Sequence, residues 1–150
     1  MGWNLEVAAV RTDQLADAVP DLFEPTSTTM GFEDATSSSR GPDLCAARIG
    51  DWVVVVDVWC RLSGSFDYLA EASASTDLHL VQISDEPITL HYSAGQQVMD
   101  ARGLAACLQV TPCDDEDGET CAMKYLRETT AVSWGNDDLW GAKFVLFTLD

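Results

Sequence analysis

Basic side chains are scarce in this sequence. Of its 150 residues, eight are Lys or Arg and 25 are Asp or Glu, so the formal net charge is −17. A surface of this sign repels nucleic acid and anionic membranes, and it attracts cationic partners. The shortage of bases therefore argues against nucleic acid and membrane as partners and predicts a basic protein instead.

Long apolar runs and targeting signals are also missing. The longest apolar runs, such as Trp52–Val56, are five residues and cannot span a bilayer. The N-terminus has no basic region followed by an apolar stretch, so it does not resemble a secretory signal. No two cysteines form a C-x-x-C pair, the spacing usual in metal and redox motifs. We expect a cytoplasmic protein with reduced, mostly buried thiols, at Cys45, Cys60, Cys107, Cys113 and Cys121.

Motifs for catalysis or cofactor binding are absent as well. The chain has neither a G-x-S-x-G elbow nor a glycine-rich phosphate loop. A calcium loop centred on Gly118 would need carboxylates at its first and twelfth positions, but these positions are Cys113 and Lys124. We therefore expect no enzymatic activity, no cofactor and no metal.

The acidic side chains are spread along the whole chain. Residues 1–50 hold eight acids and three bases, residues 51–100 hold eight and one, and residues 101–150 hold nine and four. The densest run is Asp114–Asp117. Because no detachable tail accounts for the charge, the folded body itself is expected to be negative.

Two apolar runs, 44–49 and 52–58, flank Gly50-Asp51 and predict a β-hairpin. Val53–Val56 is β-branched without alternation, which predicts a central strand buried on both faces. Proline and Ser/Thr residues predict a long loop over 20–43, and a second, acidic loop is expected over 111–118. Further strands are predicted at 3–10, 78–84, 88–92, 96–99, 104–110 and 143–149, and helices at 12–19, 67–74 and 119–130.

Together these elements predict one α+β domain over residues 1–150. We expect a mainly antiparallel sheet of about five to seven strands, with two or three short helices packed on one face.

The two histidines, His79 and His91, lie on neighbouring predicted strands. With a carboxylate such as Asp77 they could hold a metal or shuttle a proton. The alternative is that both are ordinary, partly buried strand residues. An alternative function follows from the first case, namely a salt-adapted small ligand-binding domain or an enzyme that uses this pair.

Acidic and aromatic residues in the last third of the chain form the candidate partner surface. Tryptophans near the carboxylates of Asp137 and Asp138 suit an apolar anchor rimmed by negative charge. The alternative is that these tryptophans close the core. The candidate partner-binding residues are Asp114, Asp115, Glu116, Asp117, Trp134, Asp137, Asp138 and Trp140.

The segment Gly50–Asp57 and the helix containing Tyr125–Thr130 resemble parts of small bacterial domains, some of which are similar to immunity proteins of polymorphic toxin systems. The resemblance implies a compact acidic cytosolic protein that neutralises a toxin by occluding its active or substrate-binding surface. It carries over no functional residue. Combined with the charge, it favours a non-enzymatic inhibitor of a basic toxin, and adaptation to high salt is the competing explanation of the acidity.

Overall fold

The computed structural model of the protein describes residues 4–37, 41–114, 117–132 and 139–149. Its described part contains one antiparallel sheet of eight strands in the order β2-β8-β3-β4-β1-β5-β6-β7. The predicted α+β class and antiparallel sheet are confirmed, but the strand count exceeds the predicted five to seven. The strands are β1 Leu5–Val10, β2 Phe23–Met30, β3 Leu44–Ile49, β4 Trp52–Asp57, β5 Asp77–Ile83, β6 Ile88–Ser93, β7 Gln96–Arg102 and β8 Phe144–Leu149.

Helices cover both faces of the sheet. The described α-helices are α1 Phe32–Ala35, α2 Phe66–Ala72, α3 Leu104–Val110 and α4 Gly118–Thr130, and short 3-10 helices span Leu15–Ala18 and Leu62–Gly64. One core layer lies under α4, and a second lies under α2 and the first 3-10 helix. We call these two sides the α4 face and the α2 face.

The prediction that the helices pack on one face is therefore wrong. All six residues of β1 and all six of β4 are buried. Val7 and Ala9 pack in the layer under α4, whereas Ala8 and Val10 pack in the layer under α2. Strands that are apolar on both sides need cover on both sides, because each fully buried aliphatic side chain contributes roughly 1.5–3 kcal/mol.

The β3–β4 hairpin confirms the sequence pattern. Ile49 pairs with Trp52 across the turn, and Gly50 has a φ of 61°. Glycine adopts this left-handed conformation without the steric cost that a Cβ atom would bring. The strand containing Val53–Val56 lies between β3 and β1, well inside the sheet, as predicted.

The expected long loop over 20–43 is wrong for much of its length. Residues 23–30 form the edge strand β2, which pairs with β8, and residues 32–35 form α1. Pro25 is compatible with a strand here because an edge strand has one row of backbone groups that need no partner in the sheet. Phe23 and Met30 pack against the two core layers, while Glu24 and Pro25 are exposed.

The predicted strand over 104–110 is also wrong, because these residues form α3. A short apolar stretch without clear periodicity does not distinguish a strand from a buried helix. Gly103, with a φ of 92°, turns the chain out of β7 just before the helix begins. Cys107 of α3 is then buried against Cys121 of α4.

The first turn of α4 is held by a side-chain cap and by close packing. The Asp117 carboxylate accepts hydrogen bonds from the backbone N–H and the hydroxyl of Thr120. Gly118 lies against the β5–β6 connection, where a Cβ atom would come 2.3 Å from the carbonyl oxygen of Ser84. No helix in the described parts of the chain has the length and apolar character needed to cross a bilayer.

We predict that Gly118→Ala lowers the free energy of unfolding by about 1–3 kcal/mol, because the added methyl group meets backbone that cannot move aside alone. Gly64→Ala is the matched control, since a Cβ atom there meets nothing within 4 Å. Urea unfolding followed by tryptophan fluorescence measures both variants. Equal stability of the two variants would contradict the packing at Gly118.

Candidate functional site

Three of the eight predicted partner-binding residues lie within the described structure: Asp114, Asp117 and Trp140. Asp114 and Asp117 are exposed in the connection between α3 and α4. The hydrogen bonds from Thr120 lower the pKa of Asp117, so this carboxylate stays charged at neutral pH. The remaining predicted residues lie outside the described residues, namely Asp115, Glu116, Trp134, Asp137 and Asp138.

Trp140 is 46% exposed and packs edge-on against Phe32, with ring centroids 5.4 Å apart. Phe32 in turn packs on Phe144 of β8. Asp117 lies beside the β5–β6 connection, and β5 is four strand positions from β8, or roughly 19 Å at the usual strand spacing. We call the exposed acids between α3 and α4, Asp114 and Asp117, the acidic connection. The structure therefore places Trp140 and the acidic connection in separate areas of the surface.

The two histidines are cross-strand neighbours, as the sequence suggested. His79 pairs with His91, and their rings stack with centroids 4.2 Å apart. His91 Nε2 lies 3.2 Å from an Asp77 carboxylate oxygen. His79 Nδ1 lies 2.8 Å from the hydroxyl of Tyr125, a buried residue of α4. Among the described residues, no group of three or more His, Cys, Asp or Glu is placed to hold a metal ion.

The environment of the His79 ring keeps it neutral. Burial, followed by the charge of His91, lowers the pKa of His79 to about 4, and Asp77 opposes part of this shift. The Tyr125 hydroxyl also lies 3.4 Å from the carbonyl oxygen of Leu90, so it links the ring to β6. This arrangement suits a buried polar contact between α4 and the sheet, the ordinary alternative among the sequence hypotheses.

A second polar cluster lies on the α2 face at the other end of the sheet. Glu6 of β1 and Asp57 of β4 are cross-strand partners, and both are fully buried. Asp57 accepts hydrogen bonds from the backbone N–H groups of Trp59 and Arg61 and forms an ion pair with the Arg61 guanidinium at 3.0 Å. Asp57 is thus a fully partnered buried carboxylate that fixes the chain after β4.

Glu6 is less well satisfied. Its Oε1 accepts a hydrogen bond from the backbone N–H of Ser63 at 2.9 Å, but its Oε2 has no partner among the described residues. Burial, together with the neighbouring charge of Asp57, raises the pKa of Glu6, although the hydrogen bonds from Ser63 oppose this. Sequence reasoning missed the pair of Glu6 and Asp57. The signal available was a single acid, Glu6, inside an otherwise apolar strand.

Two adjoining cavities also lie on the α2 face. The acidic cleft, of about 470 Å³, is lined by the carboxylates of Asp17, Asp21 and Glu71 and by Pro20 and Tyr68. The apolar pocket, of about 250 Å³, shares Pro20 and Tyr68 with it. Its other lining side chains include Leu22, Phe23, Leu44 and Leu62. The two cavities therefore adjoin at Pro20 and Tyr68, and we call the pair of them the groove.

Sequence reasoning missed this groove because it expected a loop over 20–43. The segment Asp21–Glu24 places two apolar residues between two acids and next to Pro20 and Pro25. That pattern was the signal available. The other wall of the groove, on α2, lies more than forty residues away along the chain. Only the folded structure therefore brings the two walls together.

Comparison with known proteins adds no relative. No protein-family model matches the chain significantly, and neither does any curated protein or solved structure.

We predict that His79 makes stability depend on pH between 6.5 and about 4. The unfolded chain binds the proton first when the pKa is lowered by folding, so stability is lost as the pH falls through this window. Relative to His79→Gln, the wild type should lose on the order of 3 kcal/mol across it. Urea unfolding at several pH values measures this. His91→Gln should remove only part of the dependence, and parallel profiles for wild type and His79→Gln would contradict the prediction.

We predict the opposite sign for Glu6. Since folding raises its pKa above 4.5, its contribution to stability is complete below that value and is lost as the pH rises through the folded-state pKa. Glu6→Gln should therefore become more stable than the wild type as the pH increases, by about 1–3 kcal/mol at pH 8. Asp57→Asn is the matched control and should be destabilised by about 3–5 kcal/mol, because it breaks a partnered buried carboxylate. A pH-independent loss of stability in Glu6→Gln would contradict this account.

Proposed function

We propose that this protein is a non-enzymatic binding protein that neutralises a basic partner, as an immunity protein neutralises its toxin. The observation that carries the proposal is the distribution of charge on the folded surface. Fifteen Asp and Glu residues of the described chain are exposed, against five Lys and Arg residues. Such a surface attracts a cationic protein from a distance and disfavours neutral or anionic partners.

Contacts within the fold already engage some of the basic side chains. Arg61 is paired with the buried Asp57, and Arg102 is paired with Asp100 at 2.9 Å. The Lys124 ammonium donates a hydrogen bond to the carbonyl oxygen of Pro112. The exposed acids lie on strands, helices and connections alike, so the acidic character is not confined to one loop.

A toxin that acts on nucleic acid is the partner class that best fits this charge. Such an enzyme presents a basic surface to the phosphate backbone of its substrate. An acidic protein bound to that surface would exclude the substrate and would inhibit without chemistry of its own. The predicted contact residues in the acidic connection, Asp114 and Asp117, are exposed and available for this role.

Salt adaptation is the second candidate, favoured by the even spread of acids over all three thirds of the sequence. It differs in requiring no partner. The stacked His79 and His91 support a ligand-binding or catalytic alternative less well, because one ring nitrogen of each already has a partner. His79 Nδ1 contacts the Tyr125 hydroxyl, and His91 Nε2 contacts the Asp77 carboxylate.

Coexpression tests the proposal directly. Each protein encoded beside this one in its source genome is expressed alone and together with this chain. We expect one basic product to arrest growth, growth to be restored by this chain, and the purified pair to associate at a rate that falls steeply between 50 and 500 mM salt.

Lysozyme serves as a generic basic control and should bind weakly without a defined stoichiometry. Neutralising Asp114 and Asp117 should slow association with the toxin. The proposal fails if no neighbouring product is toxic or none is neutralised, and strong stabilisation of the chain alone by molar salt would then favour the salt-adaptation alternative.

A further inference from the structure

We propose that the groove on the α2 face is the docking site for the basic partner. It would receive a segment that carries an apolar side chain close to Lys or Arg. This inference rests on the proposed function and names a contact surface different from the acidic connection. The groove is suited to such a segment because an apolar pocket and an acidic cleft adjoin at Pro20 and Tyr68.

Large apolar side chains are exposed around the apolar pocket. Leu22, which lines it, is 75% exposed, and Phe66, next to the lining Ser65, is 58% exposed. Trp59 is 56% exposed and lies on the Arg61 guanidinium, which also lines the pocket. Clustered exposed apolar groups of this kind mark protein contact sites, and aromatic anchors in pockets supply much of the binding energy.

The acidic cleft supplies charge for the cationic part of the segment. Asp17, Asp21 and Glu71 line it and are exposed. Arg11 also lines the cleft, but its guanidinium carbon lies 5.4 Å from the ring centroid of Trp52, which belongs to the core layer under α4. The guanidinium is thus directed toward Trp52, and three carboxylates remain for an incoming cation.

The Arg61 side chain does not oppose a cationic partner at the apolar pocket. Its charge is compensated by the buried Asp57, and it also donates a hydrogen bond to the carbonyl oxygen of Pro42. The guanidinium lies 5.6 Å from the Phe23 ring and 5.3 Å from the Trp59 ring. Arg61 therefore acts as a support for the aromatic wall.

The groove is already formed without a partner. The Tyr68 hydroxyl donates a hydrogen bond of 2.6 Å to the carbonyl oxygen of Ala18, which ties α2 to the first 3-10 helix. The Thr76 hydroxyl donates a 2.7 Å hydrogen bond to the carbonyl oxygen of Arg11. A preformed site loses less conformational entropy on binding, which favours affinity.

A second copy of this chain is a poorer occupant of the groove. Each copy carries a net charge of −17, so an acidic surface would meet an acidic cleft. Like charges brought together at an interface oppose association. A basic segment fits both halves of the groove, whereas an acidic one fits only the apolar half.

Short synthetic peptides test the groove without the natural partner. The probes are acetylated and amidated peptides in which one leucine is followed by zero, one or two glycines and then two arginines. An extended chain advances about 3.3 Å per residue, so the set samples the distance between the two cavities. Control peptides replace both arginines with glutamates or the leucine with alanine.

Binding is followed by amide chemical shifts of the isotope-labelled chain at low ionic strength. We expect saturable shifts within 17–23 and 65–72 for at least one arginine peptide and none for the glutamate peptides. The double variant Asp21→Asn with Glu71→Gln should weaken binding about tenfold, and Leu22→Ser should do so to a similar extent. The matched controls, Glu33→Gln with Asp34→Asn and Val98→Ser, change other exposed residues away from the groove and should leave binding unchanged.

The inference is overturned if no probe binds, if the shifts centre on the acidic connection or Trp140, or if the groove variants bind as well as the wild type. It is also overturned if sedimentation shows a dimer that the groove variants disrupt, since the occupant is then a second copy. If the coexpression test fails but the peptides bind in the groove, only the toxin proposal is overturned. If the groove variants neutralise a toxin as well as the wild type does, only the docking inference for the groove is overturned.

Discussion

The burial of β1 and β4 on both faces is the constraint on which the other features of this fold depend. Two adjacent strands with no exposed residue cannot lie at an edge of the sheet or under a single layer. They need further strands on both sides and packing elements above and below. The helix α4 supplies one cover, while α2 and the first 3-10 helix supply the other. The polar edge strands and the connections between helices then form the surface that carries the charge.

The same constraint decides how polar groups inside the fold are treated. Asp57 is buried at the end of β4 and is stabilised by backbone donors and Arg61, while His79 is buried on β5 and has Tyr125 as its partner. One Glu6 oxygen has no partner within the part of the chain that the structure describes, and the raised pKa of Glu6 reflects the cost of its burial. These groups explain why the strand ends and α4 adopt defined positions.

The accuracy of sequence reasoning varied with how local the signal was. The β3–β4 hairpin and the proximity of the two histidines followed from turn chemistry and from the order of strands, and both are confirmed. The edge strand β2 was missed because its proline and Ser/Thr residues resemble a loop and become a strand only through pairing with β8. The helix α3 was missed because a short apolar stretch takes its conformation from its contacts. For the same reason the groove was missed, since its two walls come from distant segments.

By itself, the sequence determined the sign and breadth of the charge, the class of the fold and the doubly buried strand at its centre. These are properties of composition and of neighbouring residues, and they do not depend on what lies across the fold. The tertiary structure alone decided that both faces are covered, that β2 completes one edge, and that the carboxylates of the first 3-10 helix region and α2 meet beside an exposed apolar pocket. Such juxtapositions arise from packing between residues far apart in the chain, and no local pattern encodes them.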